Sequence, residues 1–104
     1  MSQGALNKTS LAEVFSQISI INLSNRQDRR RSVTAELARL KVGIDGDTIS
    51  FYDAIRPLDA GEFPTVGTRG CFLSHLGALK AAQSRHASSL LILEDDVAFS
   101  RYER

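Results

Sequence analysis

Three short apolar runs constrain this chain more than any other feature: residues 18–23, 49–55 and 90–93. Runs this short, rich in Ile and Leu and bounded by polar turns, read as β-strands. Between them lie two stretches long enough for a helix. The first carries Val33, Leu37 and Leu40 at helical spacing, and the second carries Cys71, Phe72, Leu76, Leu79 and Ala82. Alternation of strand and helix favours a parallel sheet with right-handed helical crossovers. Continuous apolar runs in the first and third strands suit burial on both faces. The expected architecture is therefore α/β, in the order β-α-β-α-β, with the first strand in the middle of the sheet. All three strands then point the same way, and their carboxyl ends share one edge, where open α/β sheets bind ligands.

Local signals set the element ends. Ser10 and Glu13 have capping-box spacing and predict a short helix over 11–16, and Ser24 and Gln27 repeat that spacing before the first long helix. Gly43 is placed for the left-handed residue that closes this helix. The second long helix should run from about 70 to about 85, with Cys71 as a small core residue on its apolar face. Gly67 and Gly70 precede it and permit a backbone that comes close to a ligand. There is no internal repeat or low-complexity tract. Residues 1–17 read as a lead-in and 18–104 as the domain.

Charge and cysteine content exclude several function classes. Thirteen Lys and Arg against twelve Asp and Glu leave a net charge of +1, too balanced for a dedicated nucleic-acid binder. The single Cys71 forms no intrachain disulfide, which fits a reducing compartment. No apolar run approaches the roughly 20 residues that cross a bilayer, and the first residues lack a signal-peptide pattern. The expected location is the cytoplasm, with peripheral attachment at the inner face of the membrane compatible with it.

Two oppositely charged clusters land on the carboxyl edge. Arg26, Asp28, Arg29, Arg30 and Arg31 follow the first strand, and Glu94, Asp95 and Asp96 follow the third. Three adjacent carboxylates repel one another and lose hydration in a partly buried site, and a divalent cation relieves both costs. Along an extended chain Glu94 and Asp96 share one face and Asp95 takes the other. Hard oxygen ligands suit Mn²⁺ or Mg²⁺, and a solvated acidic turn accounts for the same residues without a metal. Arginine forks match phosphate oxygens, and Arg26, nearest the strand end, is the best placed for that role. Arg30 and Arg31 read as surface residues or partners for carboxylates. Ser74 and His75 are neighbours on a helix and so face different directions, unlike a nucleophile and its base. His86 reads as exposed.

These motifs together resemble glycosyltransferase family 25, the lipopolysaccharide-type galactosyl- and glucosyltransferases related to the collagen galactosyltransferases. Ile20-Ile21-Asn22-Leu23 with Arg26, Asp28, Arg29 and Arg30 is similar to the family's opening motif. Phe51, Asp53 and Ala54 resemble its aromatic-Asp-Ala strand end, residues 70–76 its second block, and residues 91–99 its third. The resemblance implies a partial GT-A, Rossmann-like nucleotide-binding fold, a nucleotide-sugar donor such as a UDP-sugar, and a saccharide or lipid-linked saccharide acceptor. It implies sugar transfer with inversion and Mn²⁺ or Mg²⁺ at Glu94, Asp95 and Asp96. It assigns Arg26 and Arg29 to the donor side, with Asn22 and Asp53 in the same motifs, and makes Ser74 and His75 catalytic candidates. Family domains continue well past the acidic motif, so the expectation is a donor-binding part, with the acceptor site and general base in the part that follows. Val97, Phe99 and Tyr102 are then expected to lack packing partners.

Three other readings compete. One is a remnant that binds nucleotide weakly and catalyses nothing. Another is a receiver-like domain, since 91–96 also resembles a strand whose acidic pair holds Mg²⁺. That reading needs a phosphoacceptor Asp and a Lys on later strands, and the sequence offers none after Asp96. The third is a basic module built on 29–31, against which the charge balance weighs.

Overall fold

The structure, a computed structural model, describes residues 11–99. Its elements are α1 (Leu11–Val14), β1 (Gln17–Asn22), α2 (Gln27–Arg39), β2 (Ile49–Asp53), α3 (Val66–Ser84) and β3 (Leu90–Glu94). The three strands form one sheet in the order β2-β1-β3, and both pairings are parallel. The α/β reading with the first strand central therefore holds.

Side-chain alternation divides the sheet into two chemically distinct faces. Ile18 and Ile20 pack with Val33 and Leu37 of α2, and with Val42, Ile49 and Leu93, to form the apolar core. The register puts Phe51 and Leu93 beside Ile20 and Asp53 beside Asn22, so this face ends in polar groups at the carboxyl edge. Every residue of β1 is buried, as a strand covered on both faces requires. Val97 and Phe99, expected to lack partners, instead pack against this core. Phe99 is tied to α2 at both ends of its peptide unit: its N–H donates to Glu36 (2.7 Å) and its carbonyl accepts from Arg39 (2.6 Å). Tyr102 lies outside the described residues.

The opposite face of the sheet meets α3 through small residues. Gly70, Ser74, Ala78 and Ala82 are buried at intervals of four, which aligns them on one side of a helix. Phe72 and Leu79, expected on the buried side, are about half exposed (52% and 54%), and Cys71 is exposed. The buried stripe was chosen by size, not by hydropathy. A Cβ on Gly70 would stand 2.7 Å from the Ile55 carbonyl oxygen and 3.2 Å from Pro57, and one on Gly77 would overlap the Tyr52 hydroxyl. Larger side chains would push the helix off the strands. Gly70→Ala should therefore lower stability by a net of up to ~2 kcal/mol. Overpacking costs about 1–3 kcal/mol, and the better helix propensity of Ala returns roughly 1 kcal/mol. Urea denaturation with an unchanged slope would measure it.

The helix ends depart from expectation in an instructive way. Thr65 caps α3, its hydroxyl accepting the Thr68 N–H (3.0 Å), so the helix begins at Val66 and takes in Gly67 and Gly70. Helix α2 begins without a side-chain cap; Gln27 instead donates to the Ser24 carbonyl (2.9 Å). The proposed cap at Ser10 lies outside the described residues. Helix α2 closes at Lys41 (φ 61°), two residues before Gly43. The Val42 N–H reaches the Leu37 carbonyl (3.0 Å) and the Lys41 N–H the Ala38 carbonyl (2.8 Å). This is a Schellman closure, and it sets Val42 against Leu37 in the core. Packing of that apolar pair fixes where the left-handed residue falls. Lys41→Gly should raise stability by roughly 0.5–1 kcal/mol, the relief of left-handed strain less the freedom Gly adds to the unfolded chain. A denaturation midpoint that stays put would refute it.

Candidate functional site at the carboxyl edge

The carboxyl ends of β1, β2 and β3 open onto a cleft of about 440 Å³. Its walls come from Ile21 and Leu23, the segment 54–57 after β2, the first turns of α3, and Glu94 and Asp95 at the end of β3. The segment after β2 is pinned to α3 by Ser74. Its hydroxyl donates to the Gly70 carbonyl (2.7 Å) and accepts the Ile55 N–H (2.8 Å). With its proton engaged and its side chain buried, Ser74 shapes the wall.

Strand alternation sends the acidic residues in different directions. Glu94 pairs in register with Ile21 and faces α3, where its Oε2 lies 4.0 Å from His75 Nε2. Asp95 faces α2. It accepts a hydrogen bond from Asn22 Nδ2 (2.9 Å) and stands 3.7 Å from Arg29. The chain then turns, the Val97 N–H bonding back to the Glu94 carbonyl (3.1 Å), and Asp96 is exposed in that turn. The three carboxylates therefore do not converge on one point. Glu94 and Asp95 line the cleft and Asp96 does not.

Asn22 is the hub of the α2 side. It is buried (1% exposed) and uses both ends of its amide. Nδ2 donates to Asp95 and to the Arg26 carbonyl (3.2 Å), and Oδ1 accepts from Arg30 Nε and Nη2 (3.1 and 3.0 Å). Arg30 lies over the Phe51 ring (4.2 Å) and reaches Asp53 (3.7 Å). Arg30 is thus a carboxylate partner, as its sequence position suggested. Arg26 makes a two-pronged bond to Asp28 (3.0 and 2.9 Å), which holds the Asp28 carboxyl well below the usual range. The arginine and carboxylate clusters do meet, through Arg29, Asn22 and Asp95. Arg26 and Arg29, however, sit on the α2 side of Asp95 and do not line the cleft. The arginine that does line it is Arg56, which sequence reading passed over. Its position two residues after the aromatic-Asp-Ala strand end was the available signal.

The family model for glycosyltransferase family 25 (LPS biosynthesis protein) matches residues 15–103. The chain belongs to this family. Among curated family 25 relatives, it is 30% identical over 102 residues to the human inactive glycosyltransferase 25 family member 3, covering 82% of this chain and 17% of that protein. It is 30% identical over 104 residues to procollagen galactosyltransferase 1-A of Xenopus laevis, covering 85% and 17%. It is 31% identical over 107 residues to procollagen galactosyltransferase 2 of Mus musculus, covering 82% and 16%. The chain thus spans about one sixth of the length of these relatives. No solved structure matches it significantly. Among the described residues no helix is long and apolar enough to cross a membrane.

Proposed function

We propose that this family 25 chain carries the donor-binding part of a glycosyltransferase that moves galactose or glucose from a nucleotide-sugar, most simply a UDP-sugar, to a hydroxyl of a saccharide or lipid-linked saccharide acceptor. The observation that carries the reading is the convergence of Arg56, Glu94 and Asp95 on one cleft at the carboxyl edge of a parallel sheet. The donor diphosphate would lie along this edge, with Arg56 offering its fork to phosphate oxygens.

Carboxylate oxygens are the donor type that Mn²⁺ and Mg²⁺ take, and because the three do not converge as they stand, a shared ion requires the exposed Glu94 and Asp96 to swing toward each other. Glu94 and Asp96 are exposed carboxylates on either side of the β3 turn, and Asp95 is anchored between them. A bound ion would neutralise the charge that grows on the departing diphosphate. The chain's own groups orient the donor: Ser74 fixes the wall, and Asn22 and Arg29 fix the turn that bears the carboxylates. An inverting transfer is one displacement by the acceptor hydroxyl and needs no protein nucleophile, which agrees with the engaged hydroxyl of Ser74. The family description supports a lipopolysaccharide or related glycan as the product.

Calorimetric titration of UDP with and without Mn²⁺ tests the reading. Binding that strengthens with Mn²⁺ is expected. Arg56→Ala should weaken it by ~1.5–3 kcal/mol, the value of a hydrogen bond to a charged group. Arg26→Ala should cost less, because Arg26 is already spent on Asp28. Equal affinity in the Arg56 variant would remove that residue from the donor site. One relative bears the name of an inactive family member, which favours a second reading: a fold kept without donor chemistry. UDP binding indifferent to Mn²⁺, or absent, would select it.

A further inference from the structure

Helix α3 and strand β3 bring together a thiol, an imidazole and a carboxylate at the cleft. Cys71 and His75 are four residues apart on α3 and share a face. Glu94 comes to them from β3 because its register faces that helix. One potential ligand atom from each lies within 4.8 Å of the others, and no other such group of three occurs among the described residues. We infer that Cys71, His75 and Glu94 form a site for a borderline-soft divalent cation, Zn²⁺ in particular, distinct in chemistry from an all-oxygen site for Mn²⁺ or Mg²⁺.

The imidazole is already set for this role. His75 Nδ1 lies 2.8 Å from the Cys71 carbonyl oxygen. A carbonyl only accepts, so Nδ1 carries the proton and Nε2 keeps its lone pair. Metal-binding histidines are typically held in this way, with the distal nitrogen donating to a carbonyl or carboxylate. The free Nε2 points toward Glu94 at 4.0 Å. That separation is too long for a hydrogen bond. It is close to the roughly 3.4–3.6 Å between ligand atoms on a tetrahedral Zn²⁺ with bonds of about 2.0–2.3 Å. Cys71 Sγ is 3.7 Å from His75 Nδ1, on the far side of the ring from Nε2, and is exposed, so a change of the Cys71 and His75 rotamers closes the set.

The donor types choose the ion. Thiolate and imidazole favour Zn²⁺ over Mg²⁺ and Mn²⁺, which take oxygen ligands. Three protein ligands leave a fourth position for water or a substrate atom, as in open zinc sites. On binding, the thiol proton passes to solvent and the thiolate joins the metal. The site shares Glu94 and the cleft with the sugar-transfer reading, so the two ions would compete for that carboxylate, but it does not depend on that reading, since Cys71 and His75 hold no metal there.

Cobalt(II) alone, titrated into the reduced, metal-free 104-residue chain, provides the test. The sequence has a single cysteine, so thiolate-to-cobalt charge-transfer absorption reports on Cys71 alone. The expected result is that band at one ion per chain, bleached by Zn²⁺ and not by an equal concentration of Mn²⁺. Cys71→Ser should abolish it. His75→Gln and Glu94→Gln should weaken cobalt binding on the order of 10–100-fold, the loss that even an outer partner of a metal site carries. Cys71 and Glu94 are exposed, so these variants should keep the fold, checked by far-UV circular dichroism. Cobalt bound without the band, a band at wild-type affinity in the His75 and Glu94 variants, or no uptake at all would overturn the assignment.

Discussion

Replacing Asn22 by alanine is expected to cost about 3–5 kcal/mol of stability, the largest loss from any single side chain at the carboxyl edge. The estimate rests on two charge-assisted contacts of about 1.5–3 kcal/mol each. One is the bond from Nδ2 to the Asp95 carboxylate, and the other is the forked bond from Arg30 to Oδ1. Against a total of roughly 5–15 kcal/mol for a domain of this size, the loss is a large share. The site is buried, so water cannot readily replace the missing amide. Guanidinium denaturation should show a lower midpoint with the same slope. Asn22→Asp separates the two contacts. It keeps an oxygen for Arg30 but faces Asp95 with a like charge, so its destabilisation should lessen as pH falls through the carboxylate range. Either variant at wild-type stability would show that the amide is not the hub.

Asn22 also shows what a sequence can and cannot say about a site. The motif around it was legible, and so was its place at the end of the central strand, because three apolar runs with helical stretches between them admit few topologies. That topology alone brings Arg29 to Asp95 across more than sixty residues of chain. The task of each side chain was not legible. Asn22 and Asp53, expected toward the donor, face α2 and hold Arg30. Strand parity decides this, and parity follows from register, which no single-strand pattern shows. The division of Glu94 from Asp95, by contrast, was legible, since alternation along an extended strand already set them on opposite faces. The turn between Glu94 and Val97 then takes Asp96 out of the extended geometry that would have paired it with Glu94.

Helix α3 was misread for a different reason. Large apolar residues ordinarily mark the buried face, and Phe72 and Leu79 were assigned to it. Here close approach to the sheet dominates. Gly70 lies against the Ile55 carbonyl and Gly77 against the Tyr52 hydroxyl, so the helix buries its smallest residues and turns Cys71 outward beside His75. The error in burial thereby concealed the cluster with Glu94, since a core cysteine is inert and an exposed one is accessible to a metal.

Asp96→Ala should remove the Mn²⁺-dependent part of UDP binding, on the order of a hundredfold in affinity, and leave stability within about 0.5 kcal/mol of wild type. The argument rests on what each carboxylate already does. Asp95 is 2.9 Å from Asn22 and 3.7 Å from Arg29, with its side chain only 19% exposed, so its charge is largely spent inside the fold. Asp96 is exposed and makes no ion pair among the described residues, so a metal can take it without breaking anything. Asp95→Ala should accordingly lose both properties together: the turn loosens, stability falls by roughly 1–3 kcal/mol as Asn22 is left short of an acceptor, and metal-dependent binding falls with it. Paired calorimetry and denaturation on the two variants distinguish a ligand from an anchor. Metal dependence that survives in Asp96→Ala but vanishes in a fully stable Asp95→Ala would exchange the two roles.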